Sequence, residues 1–544
     1  MPTASPDYLP RWTKREVVES SGRDPLGLSR VSDALTSYLL PGIISTTDRA
    51  RYYSFYPWAI QDAQNKRGST SFQQAFMQRD SAFGLSSTLG KTEADLPIVG
   101  KFQIEPRIPE LQSNGFVETA FPLLPSNEFG PLDQYYATCL QELGILIPEQ
   151  DSNRWSVTES GMELGREFAR AIERTPYIRE RLNESSEVSF ESLSKSAALF
   201  SLDGLRRPEA MPERALLIKR LFSLGAIPAG KDLVRQQTLG QLLHVLQSSR
   251  YVQRGDEDFA LLFSPHYFDL IYRDAKTFVT YRPHKAWTKT RGLWRQFCAH
   301  QYLLIALENF LTALLDSLSP HVEGLSAEDL VKSFATVELT DQLTAFLKKK
   351  CRTPTELMSV LGLTEPPTSE NCQVNRSQWR PEAGPNESAV LEEQGDKNLD
   401  RVSVAILLIA LLYGKWRNTE DEQCRDAANQ FGSELWIGTF LPEIDTWFNA
   451  GYEWRHAIEQ LLKFAFARHE QVMFQKRKLE ACWISFGNNH FFKEQSLQPR
   501  FRSARHVNAV RILYDLGLVD FDKDRNGWTI SNSGSDLLAT LTET

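Results

Sequence analysis

Apolar residues recur three and four positions apart over 29–40, 210–224, 233–246, 301–318, 400–417 and 453–478, the spacing that turns one stripe of an α-helix toward a core. Helices are predicted there. Pro41-Gly42 breaks the first, and Thr46, Thr47 or Asp48 can cap a second that carries Tyr52, Tyr53, Phe55, Tyr56 and Trp58. These rings fall all around its circumference. Such a helix is expected to be enclosed by others rather than to offer, with Arg49 and Arg51, a platform on which bases stack. The stretch 365–399, rich in Pro, Ser, Asn and Glu, shows no period and reads as a loop or linker.

Two stretches depart from this helical pattern, and they are copies of one another. LGILIPEQDSNRWSVTESGMEL (143–164) and LGLVDFDKDRNGWTISNSGSDL (516–537) align without a gap, with eight of 22 positions identical. In each, a helix ends at Leu-Gly, where glycine takes the left-handed conformation that stops it. Two short strands follow, joined by a polar turn holding Asp151 and Asn153, or Asp524 and Asn526. The return strand opens near Trp155 or Trp528, and Ser160-Gly161 or Ser533-Gly534 begins another helix. This order resembles the wing end of winged-helix domains of the MarR-like kind. Separately, 39–58 resembles the opening of large uncharacterised bacterial proteins found near phage-defence genes, a resemblance that brings no residue roles with it.

A chain of 544 residues is too long for one core. The expected organisation is an N-terminal helical domain (1–125), a first winged-helix-like module (126–185), a central helical domain (186–364), a linker (365–399), a helical domain with a stalk (400–490) and a closing winged-helix-like module (491–544). The fold class is therefore mainly α and multidomain, a helical core with two small modules of α plus β-hairpin.

Composition narrows the function. With 41% hydrophobic and 24% charged residues the chain is that of a folded protein. Its net charge of -8 argues against indiscriminate coating of nucleic acid, so any such contact has to be local. Six widely spaced cysteines without a CxxC pair read as reduced, cytoplasmic and free of structural zinc. No signal peptide is evident, and the longest apolar run, 404–413, is too short to cross a bilayer, so no membrane association is expected.

Catalytic chemistry finds little support. FGLSSTLGKT (83–92) ends like a phosphate-binding loop, yet five residues separate its glycines where four are needed. His266 and Asp269 stand one helical turn apart but lie in an aromatic stretch typical of a core. Glu308 is a lone carboxylate in an apolar run, and no histidine has metal-ligand spacing. No catalytic residue, metal or cofactor is expected.

Local charge is more informative. Between Asp274 and Glu308 no acid occurs, while Arg282, Lys285, Lys289, Arg291 and Arg295 interleave with Tyr281, Trp287 and Trp294. That mixture suits a phosphate backbone and stacked bases. A second basic stretch precedes the closing wing. There Ser503 can cap a helix on which Arg505, Asn508 and Arg511 share the face opposite the apolar one, with Arg500 and Arg502 just before it. Arg and Asn match guanine and adenine edges, and the helix before a wing is where such readers sit. The wing tip, with Asp520, Asp522 and Asp524, would repel phosphate. The helix before the first wing (132–143) carries no cation and reads as a packing or protein-contact element.

The expectation is a non-catalytic nucleic-acid-binding subunit of a bacterial complex, such as one for defence against phage, with DNA and further protein subunits as partners. Two alternatives stand beside it. One is a structural connector of the kleisin type that binds ATPase partners through its winged helices. The other is a nuclease assembled from distant acidic residues.

Overall fold

The computed structural model describes residues 24–543 except 66–70, 91–93, 125–126, 128, 150–153, 226, 273–277, 366–385, 418–434, 449–450 and 477–481. The protein is mainly α and multidomain, with only small sheets. Two compact units are interleaved along the chain. One comprises Met1–Leu35, His266–Asp269 and Gly292–Arg502, the other Thr36–Pro265, Leu270–Arg291 and Ser503–Thr544.

The second of these units is built around the aromatic helix Tyr52–Gln64, in which every residue from Tyr52 to Ile60 is buried. Neighbouring helices surround it. Phe55 stacks on Phe83 of the helix Phe72–Leu89, and Trp58 meets Phe168 of the helix Glu159–Ile172. Gly165 makes that crossing close, since a Cβ there would lie 3.0 Å from the Trp58 backbone nitrogen. The rings are therefore core, and Arg49 and Arg51 are buried with them. Phe83 to Leu89 belong to the helix Phe72–Leu89 and form no phosphate loop, while Lys91 and Thr92 lie outside the described residues.

The sequence repeat is a structural repeat. Strands Leu146–Pro148 and Trp155–Val157 pair as a hairpin, as do Val519–Asp522 and Gly527–Ile530, the second hairpin extended by Val252–Gln253. The shared residues close the same turn in both. Gly144 and Gly517 take φ of +64° and +71°, a region that costs other residues dearly. The Thr158 hydroxyl donates to the Gly144 carbonyl and accepts from Gly161 N–H; Ser531 does the same between Gly517 and Gly534. A Cβ on Gly161 or Gly534 would press into the carbonyl oxygen of Ile145 or Leu518. The residues kept between the copies thus include those that lock helix, hairpin and next helix together.

The other unit is organised on the helix Arg401–Trp416, buried from Val402 onward and capped by Asp400, and the long helix Trp454–Gln475. A three-stranded sheet of Leu325–Ser326, His490–Lys493 and Ile484–Gly487 completes it. The stretch 365–399, expected to be a linker, contains the helix Glu387–Gly395, capped by Asn386. Its first residue explains the difference: Glu387 is buried against Lys415 at 2.6 Å and accepts from the Tyr267 hydroxyl. Residues 366–385 lie outside the described part. The helix Thr288–Leu318 is the one described helix long and apolar enough to cross a membrane, and its apolar window is wholly buried.

Candidate nucleic-acid interface

Helix His506–Asp515 precedes the closing hairpin as expected, but its polar face points inward. Ser503 does not cap it; the hydroxyl accepts from Arg505 N–H, and Arg505 sits at the helix start with φ +64°. From there the Arg505 guanidinium donates to the Ile43 carbonyl and the Ser37 hydroxyl, both at 3.0 Å. Asn508 donates to the Ser45 carbonyl and to Asp48, and Arg511 pairs with the same Asp48 carboxylate. Arg505 and Asn508 are 8% and 5% exposed, too little for a groove reader to reach bases. The sequence alone offered no acid near this face. Asp48 arrives from the opposite end of the chain.

One turn on, Asp515 is fully buried and holds Arg49 at 3.0 Å while accepting from the Ala50 backbone. Arg49 also pairs with Asp203, and Arg51 pairs with Glu213 at 3.0 Å. Burial opposes the Arg49 charge, but Asp515 and Asp203 outweigh it and hold the guanidinium above its ordinary pKa. The closing helix is thus pinned to the N-terminal block by a desolvated ion-pair network, whose disruption leaves a buried charge. Arg502, in the other unit, is likewise engaged: it pairs with Glu308 at 2.5 Å and donates to Ser29. Arg500 keeps an exposed side chain, its backbone N–H donating to Glu308.

The second basic stretch divides in two. Arg291 is 8% exposed, lies over the Tyr281 ring and donates to the Pro265 carbonyl. Arg295 pairs with Asp269 at 2.6 Å. Tyr281, Trp287 and Trp294 are buried, so no stacking surface exists among them. Arg282, Lys285 and Lys289 remain exposed.

Arg282 and Lys285 line a cleft of ≈ 670 Å³. His244 and Gln247 come to it from the helix Gly230–Ser249, and Ser535, Leu538, Ala539 and Thr542 from one face of the C-terminal helix Asn532–Glu543. No carboxylate is among its lining residues that are described. Both imidazoles meet the buried Trp287 indole edge to face, with ring centres 5.7 Å and 5.6 Å away. The His244 Nδ1 lies 3.2 Å from the Tyr281 hydroxyl, while His284 Nδ1 is buried without a partner. Burial, with His284 beside it, lowers the His244 pKa. Arg282 and Lys285 form no ion pair among the described residues. Two exposed cations with no acid among the described lining residues give the cleft a local positive charge, chemistry that attracts an anion. His244, His284 and the helix face were not identified from the sequence. A HisLys pair beside Trp was the available signal, but only the fold brings residue 244 and the C-terminal helix to it.

A second polar centre lies inside the aromatic core. The hydroxyls of Tyr52, Tyr56 and Tyr136 and one oxygen of Asp80 are buried together there, the Tyr56 hydroxyl and that Asp80 oxygen without a hydrogen-bond partner among the described residues, and burial pushes the Asp80 carboxyl up to about 8. Among the described residues no group of three or more His, Cys, Asp or Glu is placed to hold a metal ion.

A family of unknown function (DUF6361) matches residues 16–106. That segment includes the aromatic helix, Arg49, Arg51 and Asp80, and leaves out both hairpin repeats and the cleft. No curated protein and no solved structure matches the chain.

Proposed function

We propose that the protein is a non-catalytic subunit that binds nucleic acid through its phosphates, and that the contact is made at the cleft lined by 282–285 rather than by helix His506–Asp515. The supporting observation is the convergence of Arg282, Lys285, His244 and His284 on a cleft with no carboxylate among its described lining residues, in a protein whose net charge is -8. The two helix–hairpin–helix repeats then serve as winged-helix-like packing modules, the second turned inward onto Asp48 and Asp515. Membership in a bacterial defence complex is the setting we attach to this reading, on the resemblance of 39–58. The experiment is retention on DNA as a function of salt. Two or three phosphate contacts give a log–log slope of about -1.5 to -2 on single strands, and Arg282→Glu with Lys285→Glu abolishes retention. Undiminished binding by that pair overturns the assignment.

A connector role is a second reading, favoured by one feature of the first repeat. Ile147 on its hairpin and Met162 on the following helix are 52% and 40% exposed, which suits a protein contact better than a phosphate one. Co-purification with an ATPase neighbour, lost on Ile147→Glu and unaffected by Arg282→Glu, would favour it.

A further inference from the structure

We infer that the cleft under the C-terminal helix takes a phosphomonoester, either the terminal phosphate of a nucleic-acid strand or a mononucleotide, in preference to internal phosphodiesters. This deepens the phosphate-binding reading above and rests on it for the site.

Size is the first argument. A volume of ≈ 670 Å³ falls within the range of sites that take one small ligand, so a single nucleotide fits.

Charge is the second. A phosphomonoester carries about -1.5 to -2 at neutral pH, against -1 for each diester. Arg282 and Lys285 put two permanent charges into the same cleft without a competing carboxylate among the described lining residues. His284 lines the cleft beside these cations, but its Nδ1 is buried, without a hydrogen-bond partner among the described residues, and is not a contact for the ligand. Trp287 contacts both imidazole rings, which limits the reorganisation that binding would otherwise require. The hydroxyls of Ser535 and Thr542 already donate to helix carbonyls, so they contribute as acceptors or by rotation and not as standing donors.

The third argument is what the cleft lacks. Tyr281 and Trp287 are 4% and 3% exposed and cannot stack on a base. Affinity therefore has to come from the phosphate itself, which favours the group with the most charge and the most free oxygens.

The test uses the full-length protein and fluorescence anisotropy on one short single strand prepared with a 5′-phosphate, a 3′-phosphate or hydroxyls at both ends, with adenosine monophosphate as competitor. At least one phosphorylated strand is expected to bind about tenfold more tightly than the hydroxyl strand, a difference of about 1.4 kcal/mol. Arg282→Gln with Lys285→Gln should erase that difference while leaving the thermal midpoint unchanged. Binding by the nucleotide with none by any strand supports the phosphomonoester and overturns the nucleic-acid reading. Equal, salt-sensitive binding of all three strands, lost in the double variant, overturns the phosphomonoester and leaves the nucleic-acid reading standing. A preference for a phosphorylated strand that survives the double variant places the site elsewhere and overturns the inference. No binding by strand or nucleotide overturns both.

Discussion

Two stretches of this chain look alike as sequence, 282–295 and 500–511, each a run of arginines and lysines in an acidic protein. Folding separates them. In the closing stretch Arg502, Arg505, Asn508 and Arg511 are engaged by Glu308, Ile43, Ser45 and Asp48. In the other, Arg291 and Arg295 turn inward while Arg282 and Lys285 stay beside a cleft. The difference lies in what approaches from elsewhere. Local surplus of charge says nothing about partners hundreds of residues away, and an arginine next to a buried carboxylate is structural however well it is spaced for reading bases.

The comparison can be broken most severely at Asp515. Replacing it with Ala leaves Arg49 buried with one of its two carboxylates gone, and about 3–5 kcal/mol of stability should be lost, read as a fall in the urea midpoint. A change within 1 kcal/mol would mean that the closing helix is not anchored as described. A smaller effect comes from His506, which opens the same helix and whose pKa burial lowers to about 4. The unfolded chain takes up that proton near pH 6.5 and the folded one does not. Its contribution is therefore complete above pH 6.5 and is lost as pH falls toward 4. At pH 5 about 2 kcal/mol is at stake, so His506→Gln should show a shallower loss of stability between pH 7 and 5 than the parent. Parallel curves would contradict this. The smallest stability effect belongs to the other stretch: Arg282→Gln with Lys285→Gln should stay within about 0.5 kcal/mol of the parent, because both side chains are exposed and neither forms an ion pair among the described residues. Destabilisation well beyond that would show the cleft cations to be structural too, and the contrast between the two stretches would vanish.

What was legible in the sequence was local. Helical stripes, the enclosed aromatic helix and the Leu-Gly, Trp and Ser-Gly signature of the repeat all depend on residues within a turn or a hairpin of each other, and they appear where the spacing puts them. What was not legible was long-range. Asp48 meets Arg511 across 463 positions, and no periodicity carries that pairing. The helix Glu387–Gly395 was missed for the same reason, its first residue held by Lys415 and Tyr267 and not by an apolar stripe of its own. The cleft was half visible: Arg282 and Lys285 stood out as cations, but His244 and the face through Ser535 and Thr542 belong to it only by folding.

The Arg49–Asp515 bond spans 466 residues. During translation the aromatic helix leaves the ribosome long before the carboxylate that neutralises its neighbour, so the ion-pair network beside it cannot form until residue 515 has been made. Premature stops upstream of residue 515 should therefore yield chains without that network, handed to proteases, not shorter working proteins.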